Sequence, residues 1–133
     1  MADKVRTGGC LCGAVRYEAA EPLTSVVYCH CSQCRRQTGH FMASTNVDLD
    51  RFAITDETGL AWYEASDIAR RGFCKNCGST LFWQGHGETY VSIAAGTLDD
   101  STGIEEAGHI FCADKGGYYQ ITGGKFQRAG GGE

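Results

Sequence analysis

At 133 residues the chain has room for one domain with a real core, and not for two comfortable ones. Its 12 basic and 16 acidic residues leave a net charge of -4 with no long run of either sign, which argues against a phosphate-backbone partner. No apolar stretch approaches the roughly 20 residues that span a bilayer, and Met1 to Gly9 lacks the apolar core of a signal peptide, so a cytoplasmic protein with no nucleic-acid and no membrane partner is expected.

Short alternating segments dominate the chain. Val15 and Tyr17 precede the Glu21-Pro22 break, Val26, Val27 and Tyr28 follow it, and Leu60 to Tyr63, Thr80 to Trp83 and Tyr90 to Ile93 come later. Between the second and third of these, Ser32 to Thr38 reads as a helical turn, with Ser32 as its cap and Gly39 as its stop. A second short turn is expected near Leu98 to Ser101, where the Asp-Asp-Ser-Thr-Gly composition fits a loop equally well. His109 to Cys112 reads as a further apolar strand. The spacing leaves no room for normal helices between strands, so the expected fold is all-β: twisted antiparallel sheets with one or two short helical turns. Residues 1–128 form the expected single domain, and 129–133 a flexible tail.

Seven of the eight cysteines fall into three groups: Cys10 and Cys12, then Cys29, Cys31 and Cys34, then Cys74 and Cys77. A disulfide framework would suit a small secreted domain; the absence of an export signal, the supply of core residues and the CxC spacing favour metal instead. In an extended strand residues i and i+2 share a face, so Cys10 and Cys12 can reach one ion while Leu11 points away. Cys74 and Cys77, followed by Gly78, form a zinc-knuckle CxxC. Together the two pairs close a four-thiolate site, a structural task because it ties distant parts of the chain together.

Cys29, Cys31 and Cys34 then remain as a three-thiolate site with one position open. Alternation turns His30 away from it. The sequence leaves other partitions open: Cys112 or His40 completing the second site, or the triplet lending thiols to either pair. Cys112 by itself reads as a buried free thiol acting as a small hydrophobe. Three anionic sulfurs weaken a zinc ion as a Lewis acid for water and suit it to a substrate thiol, held as thiolate and able to add to a small carbonyl or to leave from the adduct.

The runs GGCLCGAVRY, CHCSQCRRQTG and FCKNCGSTLFW, in this order from about Gly8 to Trp83, resemble the glutathione-dependent formaldehyde-activating enzyme family, to which centromere protein V is also similar. HIFCADK looks like the family's later strand. The resemblance implies a β-tent fold with two zinc ions per chain: a structural one on Cys10, Cys12, Cys74 and Cys77 and a catalytic one on Cys29, Cys31 and Cys34. It also implies a carbon-sulfur lyase acting on a glutathione-formaldehyde adduct of the S-hydroxymethylglutathione type. The alternatives are a non-catalytic zinc module that binds a protein partner, and a β-tent redox relative, which would carry a pair of CxxC motifs where this chain has one isolated CxxC.

Elsewhere the expectations are plainer. Arg35 and Arg36 lie beside the triplet, where either solvation or a grip on a substrate carboxylate is expected. Arg70 and Arg71, which precede the CKNC knuckle, read as surface charge, with a functional role as the alternative. Trp62, Tyr63, Phe82 and Trp83 have the spacing of core packing, with a substrate wall as the alternative; His40 reads as an exposed loop histidine, or else as an acid or base near the open site; Glu64, Asp67 and Asp99 read as unpaired surface carboxylates.

Overall fold

The structure, a computed structural model, describes residues 4–131. Ten strands form two sheets. β1 (Val5–Gly9), β2 (Arg16–Ala20) and β5 (Phe52–Asp56) make the smaller one, in the order β1-β2-β5. The larger contains β3 (Val26–Cys29), β4 (Met42–Asp48), β6 (Leu60–Glu64), β7 (Ala69–Cys74), β8 (Thr80–Gly85), β9 (Tyr90–Ala94) and β10 (Glu106–Ile110), in the order β10-β3-β4-β9-β8-β7-β6. The pairing is antiparallel except between β10 and β3, which run parallel, a departure from the purely antiparallel expectation. β10 arrives at that edge after a long loop, so its direction is not set by a hairpin.

The single α-helix among the described residues, α1 (Ser32–Thr38), falls where expected, and Gly39 ends it in the left-handed region at φ 84°. Its cap is Cys31 rather than Ser32: the Cys31 sulfur accepts from the Cys34 amide at 3.2 Å. The second turn lies at Ala95–Thr97, just before the segment expected to hold it, and Leu98 instead bridges to Gly8.

Alternation in the central strands gives the large sheet two different faces. Val47, Val91, Ile93 and Phe82 point to the core, each at most 2% exposed, and meet Tyr17, Ala19 and Phe52 of the small sheet. Tyr17 packs edge-on to Phe82 at 5.4 Å, and burying side chains of this size contributes about 1.5–3 kcal/mol apiece. Gly8, opposite Tyr17 in the register, leaves room for its ring: a Cβ there would lie 2.3 Å from the phenol oxygen. Phe82 is core as expected and Trp62 stacks on it at 5.9 Å, whereas Tyr63 is 64% exposed and Trp83 faces the other side of the sheet.

The edges are tied by polar contacts that the sequence does not announce. Asp99 accepts from Arg16 Nη2 at 2.5 Å and from Thr7 Oγ1 at 2.6 Å, correcting its reading as an unpaired carboxylate, and Glu64 pairs with His86 at 2.8 Å. These hydrogen bonds, Arg16's first, hold the Asp99 carboxyl down at about 2. Such a group adds stability that is complete above its unfolded value and lost as pH falls toward the folded one. Asp99→Asn is therefore expected to flatten the fall in Tm between about pH 4 and pH 2, with only a modest loss at neutral pH because the pair is exposed. An unchanged slope in melts across that range would contradict the assignment.

The C-terminal segment departs from the expected fraying at 129. Phe111 donates its amide to Gly130 and Cys112 donates to Arg128, at 2.9 and 3.0 Å, so the chain is held as far as Gly130. The last two residues of the expected tail lie outside the described residues. The expected strand over His109 to Cys112 stops at Ile110, because Phe111 turns into the left-handed region at φ 55° and Cys112 opens a 3-10 turn.

Candidate functional site

β1 ends at Gly9, so Cys10 and Cys12 sit in a tight turn rather than on a strand, which corrects the route but not the result. Gly13, at φ 84°, closes that turn and Leu11 is thrown outward, 89% exposed. Cys74 ends β7 and Cys77 follows in the knuckle closed by Gly78 at φ 80°. The four sulfurs lie within 4.8 Å of one another, with Cys12 3.7 Å from both Cys10 and Cys74.

A tetrahedral zinc at the usual Zn–S length of about 2.3 Å needs S···S edges of about 3.8 Å, and a disulfide needs about 2.05 Å. The observed separations fit the ion, and all eight cysteines are free. The surroundings are also those of thiolates. The Val15 amide donates to Cys10 Sγ at 3.2 Å, and Ser79 hydrogen-bonds Cys77, drawing that thiol down to about 5. Gly59 completes the packing: a Cβ there would lie 2.8 Å from Cys74 Sγ.

Cys29, Cys31 and Cys34 make a second cluster, again with all sulfurs within 4.8 Å. Cys29 ends β3, Cys31 caps α1 and Cys34 lies in its first turn, so the strand-to-helix junction gathers all three. Hydrogen bonds from Cys29 and Cys34 hold the Cys31 thiol far below its ordinary value, while those with Cys31, foremost, and Cys34 push Cys29 up. The cluster thus favours a negative charge shared among its sulfurs, as a cation would require. Neither Cys112, half-buried rather than fully buried, nor His40 joins it; His40 is exposed and bonded to the Tyr118 hydroxyl.

His30 turns away from the cluster, as alternation predicts. It is 1% exposed and hydrogen-bonds Tyr119 at 2.5 Å and His109 at 2.9 Å. Burial, with the charge of His109 second, lowers its pKa to about 4, so it is neutral at neutral pH. Its place is behind the strand, among Tyr28, Phe41 and His109.

The three thiols open on a cleft of about 550 Å³ along the non-core face of the large sheet. Register explains its lining. Asn46 pairs with Ser92, Ser92 with Trp83 and Trp83 with Arg71, so one row of side chains crosses the floor. Val27, Met42 and Phe111 add apolar wall beside the thiols. Arg71 is the largest correction to the sequence reading: expected on the surface, it is 3% exposed, donating to Gln33 Oε1 at 2.7 Å and to Cys34 Sγ at 3.3 Å. Successive strand residues face opposite sides, so in β7 one arginine of the Arg70–Arg71 pair has to turn inward. Arg70 lies over Trp62 at 3.9 Å and bonds Gln84. Arg35 is half-buried and Arg36 exposed, and neither lines the cleft.

Fold and site together define a mostly β protein with two cysteine clusters, each able to hold a metal ion, one of them opening on a cleft. The chain belongs to the glutathione-dependent formaldehyde-activating enzyme family, whose model matches residues 5–114. A Schizosaccharomyces pombe protein named as an uncharacterized lyase is 34% identical over 77 residues, 57% of this chain and 55% of that protein, so the match spans about half of the relative's length. The fold is shared with a Rhodobacter sphaeroides protein of known crystal structure, at a TM-score of 0.63 and 22% identity over 77% of this chain and 98% of that one. No helix among the described residues is long and apolar enough to cross a membrane.

Proposed function

We propose that the chain is a zinc-dependent carbon-sulfur lyase in which Cys29, Cys31 and Cys34 present the reacting centre to a thiol, with S-hydroxymethylglutathione as the model of its adduct. The observation that carries the reading is the division of the thiols: four gathered where a turn and a knuckle meet, three at the mouth of a cleft. Cys10, Cys12, Cys74 and Cys77 would hold a structural ion, and Cys29, Cys31 and Cys34 a catalytic one. Zinc bound at the three thiolates would supply a soft Lewis acid with a position left for a substrate sulfur.

The chain's own residues do the rest. The strand-to-helix junction fixes the three sulfurs, since Cys31 is at once ligand and helix cap. The Cys34 sulfur is further anchored by Arg71. Apolar wall from Met42 and Phe111 limits water around the reacting atoms, while Ser44, Asn46 and Ser92 offer hydrogen bonds to a polar, peptide-like ligand. The reaction class is addition of a thiol across a small aldehyde, in which the C–S bond forms and the thiol proton passes to the carbonyl oxygen, or the reverse. Eight free thiols suit the reducing cytoplasm.

The test is exchange between glutathione and formaldehyde followed by NMR. The zinc-loaded protein is expected to accelerate formation and breakdown of the adduct by more than about 100-fold over the same solution without it, a gain within reach of positioning and acid-base assistance alone. No acceleration with glutathione or with simpler thiols would leave a binding module as the better description.

A further inference from the structure

Arg71 does more in this structure than its contacts account for. Two arginines are buried, and they differ in what surrounds them. Arg6 is saturated: Nε bonds the Glu21 carboxylate at 2.9 Å, and Nη1 and Nη2 bond the carbonyls of Asp100 and Thr102 at 2.8 Å each. Arg71 has the Gln33 amide oxygen on Nε, the Cys34 sulfur on Nη2, and nothing on Nη1, which is buried without a hydrogen-bond partner. No carboxylate pairs with it among the described residues. A buried donor left without an acceptor is costly, so an Nη1 of this kind persists where something else completes it.

The cleft indicates what that is. Apart from the three thiols, Arg71 is the charged side chain of its lining, and neither aspartate nor glutamate is among them, although acidic residues outnumber basic ones in the chain as a whole. Gln33 holds the guanidinium by its Nε edge, and the planar fork carries Nη1 beside Nη2, which already touches the thiol cluster. An anion on Nη1 is therefore a close neighbour of a sulfur seated at Cys29, Cys31 and Cys34.

We propose that Arg71 is the specificity-determining residue of the cleft and that its Nη1 binds a carboxylate carried by the thiol ligand. The inference rests on the thiol-binding reading given above and narrows it to anionic thiols. Uncharged thiols of the same length lose the ion pair, and amines carrying a thiol meet a like charge.

The test compares 3-mercaptopropionate with 3-mercapto-1-propanol, a matched pair differing in the carboxylate, by titration into cobalt-substituted protein while the sulfur-to-metal absorption is followed. The carboxylate thiol is expected to bind at least about tenfold more tightly, a difference of about 1.4 kcal/mol. In Arg71→Gln that ratio falls to about one, and Arg71→Lys keeps part of it. Comparing ratios cancels the intrinsic acidity of the two thiols. Equal affinities in the parent protein overturn the proposal. So does an Arg71→Gln variant that weakens both thiols alike, which would make the guanidinium a counter-charge for the sulfurs and nothing more. Should that variant not fold, the parent ratio and Arg71→Lys decide. A spectrum unmoved by either thiol sinks the thiol reading and this proposal together, whereas a response without carboxylate preference sinks this proposal alone.

Discussion

Replacing Cys74 by serine is expected to remove the metal of the four-cysteine cluster and to lower Tm by more than about 15 °C, or to leave no cooperative melt at all. Cys74 is 0% exposed at the end of β7, and its sulfur approaches Cys12 from a position 62 residues away in the chain. Because such a site does not exist in the unfolded chain, the free energy of binding is folding free energy, about 10–16 kcal/mol for small zinc modules. A whole domain is stable by only about 5–15 kcal/mol, so even a fraction of that term decides whether this one folds. Serine keeps the volume but offers a hydroxyl that does not ionise at neutral pH, and the remaining three sulfurs have lost their fully buried member. Thermal melts with and without a chelator check the point: the parent protein is expected to be destabilised by the chelator and the variant to be insensitive to it. A variant melting within a few degrees of the parent would make the cluster incidental to the fold.

Cys31→Ser is expected to have the opposite profile: a retained fold, and a loss of adduct formation of more than about 100-fold, since even residues that only support metal ligands cost 10–100-fold when changed. The reason the fold survives is local. Cys31 serves as the cap of α1 through its side chain, and serine is a preferred residue for that position, so the helix keeps or improves its first hydrogen bond. Cys31 is also only half-buried, and serine leaves no cavity. The sulfur is what is lost. Matching circular dichroism spectra with turnover at the background rate would support the assignment; turnover near the parent rate would remove Cys31 from the reacting centre.

The two profiles follow from features that were unequally visible in the amino-acid sequence. The cysteine partition was legible, because ligand spacing is local and each group is bound by its own turn: Gly13 after Cys12, Gly78 after Cys77, the α1 cap at Cys31. The turning away of His30 followed from alternation alone. Strands with strong apolar alternation, such as β8 and β9, were also legible. β7 was not, for its Ala-Arg-Arg-Gly run carries little β signal, and its place is set by pairing with β6 and β8. That omission hid Arg71. The cleft itself, assembled from residues of β3, β4, β7, β8 and β9, depends on a strand order that no local pattern encodes. Likewise Asp99 finds Arg16 across 83 positions, a contact of tertiary origin.

On the proposed reading the seven clustered cysteines divide into a closed site for the fold and an open one for chemistry. Zinc per folded chain, measured by elemental analysis on the parent and on Cys31→Ser, tests it most directly. Two ions in the parent and one in the folded variant are expected. Loss of both ions together, or retention of both, would contradict the division.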